Sequence, residues 1–258
     1  MSQACTDTIA VSVTVAARRE EAHALAAALG LSLVDFAAAL PPLRLCLSPT
    51  GLELRVLDDP CLGGAVRSDF SPSAIRAGGS PRHPLLHAVG RLGRETPLIL
   101  DLTAGLGRDA FRLAAAGCRV TLLERHPVVA ALLADGIARA AAEPLTAPVA
   151  ARMTLLPIDA RDLPRDGSPG CPPAEIVLLD PMFPTRNKSA RVKKELQVLQ
   201  RLLGDEGDGD ELLALALQHA RRRVVVKRPR LAPYLAGHKP SFSLSGRTTR
   251  YDIYLITA

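Results

Sequence analysis

From Pro97 onward, short and nearly continuous apolar runs alternate with longer segments whose apolar residues recur every three or four positions. The runs at residues 98–102, 120–123, 153–158, 176–179 and 224–227 predict strands covered on both faces. The segments between them, 109–116, 128–142, 189–203 and 211–220, predict helices. In the third, Val192, Leu196, Leu199 and Leu203 are expected to form one apolar stripe. Strict alternation of strand and helix predicts a parallel, doubly wound α/β sheet. Tyr251-Asp-Ile-Tyr-Leu-Ile256 predicts a last strand that pairs antiparallel at the sheet edge.

The pattern before Pro97 is different. Residues 9–15 alternate in a strand-like way, and residues 18–29 are rich in Ala and Leu, as in a helix. Residues 44–47 and 52–57 flank Ser48-Pro-Thr-Gly51, the pattern of a hairpin in which Gly51 supplies the permissive backbone. Residues 58–84 are rich in Gly, Pro and Ser and read as a connecting loop; a helix then starts at Pro84, with Leu85, Val89 and Leu92 on one face. The expected division is a small α/β extension over residues 1–83 and a larger domain over 84–258.

A chain of 258 residues, 48% hydrophobic, can bury a sizeable core. The net charge of +6 is compatible with an anionic partner. Cys5, Cys46, Cys61, Cys118 and Cys171 show no CxxC spacing and accompany no His cluster, so neither a zinc site nor a disulfide framework is expected. Residues 1–17 lack the pattern of a signal peptide, and no stretch is long enough to span a bilayer. Reduced thiols and a cytoplasmic location are the expectation.

In an open α/β sheet, ligands bind beyond the carboxyl ends of the strands. The first strand of the larger unit runs into Asp101-Leu-Thr-Ala-Gly105-Leu-Gly107-Arg108-Asp109. Its glycines permit a tight turn and close ligand approach, and the loop opens a helix whose N–H groups can hold a carboxylate. A nicotinamide dinucleotide fingerprint needs a third glycine where Ala110 stands. Asp101 would repel a pyrophosphate but suits a cationic amino acid moiety, so S-adenosylmethionine is the expected cofactor. Glu124, ending the second strand, can accept both ribose hydroxyls. At the end of the third, Asp159 or Asp162 can accept the adenine amino group.

The fourth strand ends in Asp180-Pro181-Met182-Phe183-Pro184, which resembles the Asp/Asn-Pro-Pro-Tyr/Phe signature of amino-group methyltransferases. There the acid and a backbone carbonyl accept hydrogen bonds from the reacting amine. An exocyclic amine is a poor nucleophile because its lone pair is delocalised into the ring. Orienting that lone pair is a positioning effect, and accepting the developing charge with Asp180 is electrostatic stabilisation. Pro181 constrains the turn and Phe183 can stack on a base. Two basic segments, 185–201 and 221–230, flank strand ends and suit phosphate contacts. Lys227-Arg228-Pro229 is the part expected to reach the site.

With these residues placed, the chain resembles the ribosomal RNA small subunit methyltransferase J family from about Pro97 to its C-terminus. The resemblance rests on residues 101–111, 123–133, 179–184, 188–195, 224–229 and 251–254, with the Asp-Pro-Met-Phe-Pro form its most specific part. It implies a class I, Rossmann-like methyltransferase with a mostly parallel seven-stranded sheet. It also implies methylation of a guanine N2 amine in 16S rRNA of the 30S subunit. Cofactor contacts are implied at Arg108, Asp109, Glu124, Arg125, Arg161, Asp162 and Asp180, beside Asp101 and Gly105. Where the family carries a small polar pair after the third strand, this chain has Arg161-Asp162. The rival readings are an amino methyltransferase acting on a DNA adenine or a protein glutamine, and a nucleotide-dependent oxidoreductase.

Overall fold

The computed structural model describes residues 8–38, 40–72, 83–90, 97–164, 170, 172, 174–181, 194–204 and 207–256. Strands β4 (Leu98–Asp101), β5 (Arg119–Leu123), β6 (Met153–Leu156), β7 (Ile176–Leu179), β8 (Arg223–Pro229), β9 (Phe242–Ser245) and β10 (Thr249–Leu255) form one seven-stranded sheet. Its order is β6-β5-β4-β7-β8-β10-β9. The first five are parallel to one another, whereas β10 runs antiparallel to both β8 and β9. The last strand is therefore antiparallel, as expected, but it does not lie at the edge. β9 takes the edge, and its sequence Phe-Ser-Leu-Ser, four residues long and partly exposed, carries too weak an apolar signal to stand out.

Helices α2 (Pro84–Val89), α3 (Arg108–Ala115), α4 (Pro127–Ala142), α5 (Ala147–Ala150), α6 (Lys194–Leu203) and α7 (Gly209–His219) follow the expected alternation. Pro84 opens α2 behind His83, whose Nδ1 accepts the Leu85 N–H at 3.2 Å. Leu85 and Val89 are buried, while Leu92 lies outside the described residues. In α6 the buried side chains are Val198 and Leu199. Leu196 is instead 40% exposed and faces the crevice described below, so the helix sits rotated from the expected stripe; Val192 lies outside the described residues.

The N-terminal part holds β1 (Ile9–Val13), α1 (Arg19–Leu29), β2 (Leu43–Ser48) and β3 (Gly51–Val56). Its three-stranded sheet has the order β1-β2-β3, with β1 and β2 parallel and β2 and β3 forming the expected hairpin. Gly51 adopts φ +128°, as the turn requires. The core of this layer is shared: Leu45, Leu52 and Leu54 cluster with Val128, Val129 and Leu132 of α4 and Val198 of α6. Each such side chain contributes about 1.5–3 kcal/mol on burial, which fixes the small sheet against the large one. Part of the segment read as a connecting loop is packed too. Val66 bridges to Leu54, and Phe70 stacks on Phe111 of α3 with centroids 4.6 Å apart.

The chain leaves β4 to build β5 and β6 on one side, then returns to build β7 and β8 on the other. That reversal opens a crevice beyond the carboxyl ends of β4 and β7.

Candidate active site

The crevice has a volume of about 870 Å³, within the range of small-molecule sites. β4 ends at Asp101, only 3% exposed. Its Oδ1 accepts the Thr103 N–H at 3.1 Å, and burial, with the Asp109 and Asp180 carboxylates nearby, pushes its carboxyl up to about 7. The loop then turns through two glycines with left-handed backbone, and their surroundings differ. A Cβ at Gly105 (φ +52°) would meet nothing within 4 Å, so this position faces the open crevice. A Cβ at Gly107 (φ +73°) would fall 2.5 Å from Leu133 and 2.9 Å from Phe70. Gly105 leaves room for a ligand, whereas Gly107 is required by packing.

Glu124, at the end of β5, is 9% exposed and ties two chain turns together. Its Oε2 accepts the Gly105 N–H at 2.9 Å, and its Oε1 accepts the His126 N–H at 2.8 Å. Glu124 also lines the crevice. Arg125, beside it, pairs with Asp208 and lies 3.9 Å from Asp159. At the end of β6, Asp159 and Ala160 line the crevice. Arg161 and Asp162 follow on an exposed 3-10 turn and do not line it. Asp159 caps that turn and holds the Arg161 guanidinium at 2.9 and 2.5 Å, which keeps its carboxyl below the usual range.

Arg108 and Asp109 open α3 at the crevice wall. Arg108 reaches across to Glu195 of α6. Asp109 accepts from Arg112 at 2.6 Å and from Lys227 at 2.7 Å. Asp180, at the end of β7, donates its N–H to Thr103 Oγ1 at 2.6 Å and accepts from Lys227 Nζ at 2.6 Å. Its side chain remains 44% exposed toward the crevice, which Pro181 also lines. Phe183 lies outside the described residues.

Thr103 was not singled out from the sequence, although it stands inside the first motif; its hydroxyl matters through a partner 77 positions away. Lys227 does reach the site, but its ammonium is held by two carboxylates rather than turned outward. Arg228 and Pro229 line the crevice too. Arg221, Arg222 and Arg223 lie at the opposite end of β8, opposite Ile176 at the start of β7. There Arg222 pairs with Glu175 at 2.9 Å, so those three cannot belong to the crevice rim. Of segment 185–201, residues 185–193 fall outside the described residues, and Arg201 pairs with Asp58.

The donor set fits S-adenosylmethionine. Carboxylates stand at three strand ends, Gly105 faces open space, and the start of α3 opens into the same crevice. A family model for SAM-dependent methyltransferases matches residues 25–256. The ribosomal RNA small subunit methyltransferase J of Thioalkalivibrio sulfidiphilus is 48% identical over 241 residues, covering 92% of this chain and 93% of that protein.

The chain belongs to the ribosomal RNA small subunit methyltransferase J family.

The Nitrosococcus oceani member is 47% identical over 244 residues, covering 91% of this chain and 93% of its own. A crystal structure of a SAM-dependent methyltransferase from Neisseria gonorrhoeae matches with a TM-score of 0.70 and 33% identity, covering 95% of both chains. Similarity to the family thus extends well before Pro97 and takes in the small N-terminal layer. The class I fold and the S-adenosylmethionine cofactor expected from the strand-end motifs both hold.

Proposed function

We propose that this chain methylates the exocyclic N2 amine of a guanine in 16S rRNA of the small ribosomal subunit, in the cytoplasm. The observation that carries the chemistry is the position of Asp180. Its carboxylate is open to the crevice, one hydrogen bond from the loop that begins the cofactor site. The rRNA substrate is supported by relatives named as ribosomal RNA small subunit methyltransferase J at 47–48% identity.

When bound, S-adenosylmethionine supplies a methyl group on a positively charged sulfur. Glu124, which lines the crevice, is the residue proposed to hold the ribose hydroxyls, and Gly105 leaves room above the loop. Asp101, Arg108, Asp109 and Arg125 complete the proposed cofactor wall. Asp159, turned to the crevice, is better placed than Asp162 or Arg161 to meet the adenine edge. Asp180 accepts an N–H bond from the target amine, aims its lone pair and stabilises the charge that develops on nitrogen. Pro181 and Phe183 are proposed to frame the base.

A paired base cannot enter such a crevice, so the target is unpaired or flipped out. Arg230 is exposed and donates its backbone N–H to Thr248 O at the crevice edge. With exposed Arg247 it forms a rim suited to the phosphate backbone.

The test uses 30S particles and naked 16S rRNA from cells lacking the enzyme, with methyl-labelled cofactor and mass spectrometry of the released nucleosides. N2-methylguanosine is expected, and label confined to protein or DNA would overturn the reading.

A further inference from the structure

Lys227 lies on β8 opposite Tyr251 of β10, with its ammonium between Asp180 Oδ2 at 2.6 Å and Asp109 Oδ2 at 2.7 Å. One cation therefore joins the acid at the end of β7 to the acid at the start of α3. Among the described residues no donor is recorded to Asp180 Oδ1, which leaves that oxygen for a substrate N–H. We propose that Lys227 is a positioning residue for methyl transfer: it keeps Asp180 ionised with one oxygen occupied and the other aimed into the crevice. This rests on the reading of Asp180 as acceptor of the target amine.

The physical need is plain. Asp101, Asp109 and Asp180 converge at the crevice floor with Lys227, and among the described residues Tyr251, Arg112 and His83 are the other titratable groups acting on them. Loss of bulk water around it and the Asp109 carboxylate push the Asp180 carboxyl up, and the Lys227 ammonium pulls it back only in part, so it stays above the usual carboxylate range. A protonated Asp180 can donate as well as accept, and it no longer offsets positive charge on the amine. Burial alone would weaken the Lys227 ammonium, but the two carboxylates hold it protonated.

These neighbours act with opposite signs. Removing the positive charge of Lys227 raises the pH at which Asp180 ionises. Removing the negative charge of Asp109 lowers it. A residue needed only for packing would not give shifts of opposite sign.

The experiment compares wild type with Lys227→Met, Lys227→Arg and Asp109→Asn at saturating cofactor. One arm follows kcat/KM for RNA against pH. The other follows the ¹³C carboxyl signal of Asp180 in the cofactor-free protein, assigned through its loss in Asp180→Ala. Lys227→Met should move the acid limb and the carboxyl titration up by about 1–3 pH units. Asp109→Asn should move both down, and Lys227→Arg should stay near wild type. If Lys227→Met does not fold, the signs for the other two variants still decide. An unmoved titration in Lys227→Met, or an upward shift in Asp109→Asn, overturns the proposal. Asp180→Ala working at the wild-type rate overturns the acceptor reading and with it the kinetic role of Lys227. Asp180→Ala inactive, with the acid limb of Lys227→Met unmoved, overturns the role of Lys227 alone.

Discussion

At the β4–β5 side of the crevice Glu124 gives both oxygens to backbone N–H groups, whereas at the β7–β8 side Asp180 and Asp109 share one ammonium. The first arrangement is built from short, directional bonds to the main chain, so it fixes the shape of a loop. The second is built from side-chain charges, so it fixes a protonation state. On the proposed reading, a cofactor needs a rigid outline and an amine acceptor a defined charge, so the two halves of one crevice would meet different demands with the same residue type, a carboxylate at a strand end.

That contrast can be tested at five positions. The largest effect is expected at Asp180: replacement by Ala should lower kcat by about 10³-fold, while calorimetry still detects S-adenosylhomocysteine. Loss of cofactor binding of the same size would mean that the two halves are not separable.

Asp101 lies beneath both halves, and its effect is on stability. Its carboxyl ionises near pH 3.8 in the unfolded chain and at about 7 in the folded one. Between those values the native state holds the extra proton, so its contribution is full below pH 3.8 and is lost as pH rises through 7. At about 1.4 kcal/mol per unit, Asp101→Asn should remove up to about 4 kcal/mol of that decline. Chemical denaturation of both proteins at pH 5 and pH 8 checks it; an equal stability difference at the two pH values would refute the assignment.

Gly107→Ala comes next, at roughly 2–3 kcal/mol of unfolding free energy, because left-handed backbone and contact with Leu133 and Phe70 act together. Gly105→Ala should cost only about 1 kcal/mol of stability and appear mainly as weaker cofactor binding. The smallest effect on turnover is expected at Glu124. Glu124→Ala should weaken cofactor affinity by about 10- to 100-fold, since two backbone donors lose a charged acceptor, with kcat changed less than in Asp180→Ala. A kcat loss as deep as that of Asp180→Ala would erase the distinction drawn above.

The parallel sheet was legible because β4, β5, β7 and β8 are apolar on both faces, and such runs have little alternative use. β9 was not, since an edge strand needs only one covered face and Phe242–Ser245 barely shows one. The acids at the strand ends could be read from position alone. What each acid holds could not: Glu124 binds main-chain N–H groups whose approach depends on the folded loop, and Lys227 meets Asp109 from 118 positions away. The orientation of α6 was missed because Leu196 faces the crevice, so apolar spacing did not report the buried side.

Thr103 takes one hydrogen bond through its hydroxyl from Asp180 and gives another through its N–H to Asp101. Two loops far apart in sequence are thereby measured from a common reference point. A shift of either loop therefore strains a bond to the other, so the two strand ends are held at a fixed spacing.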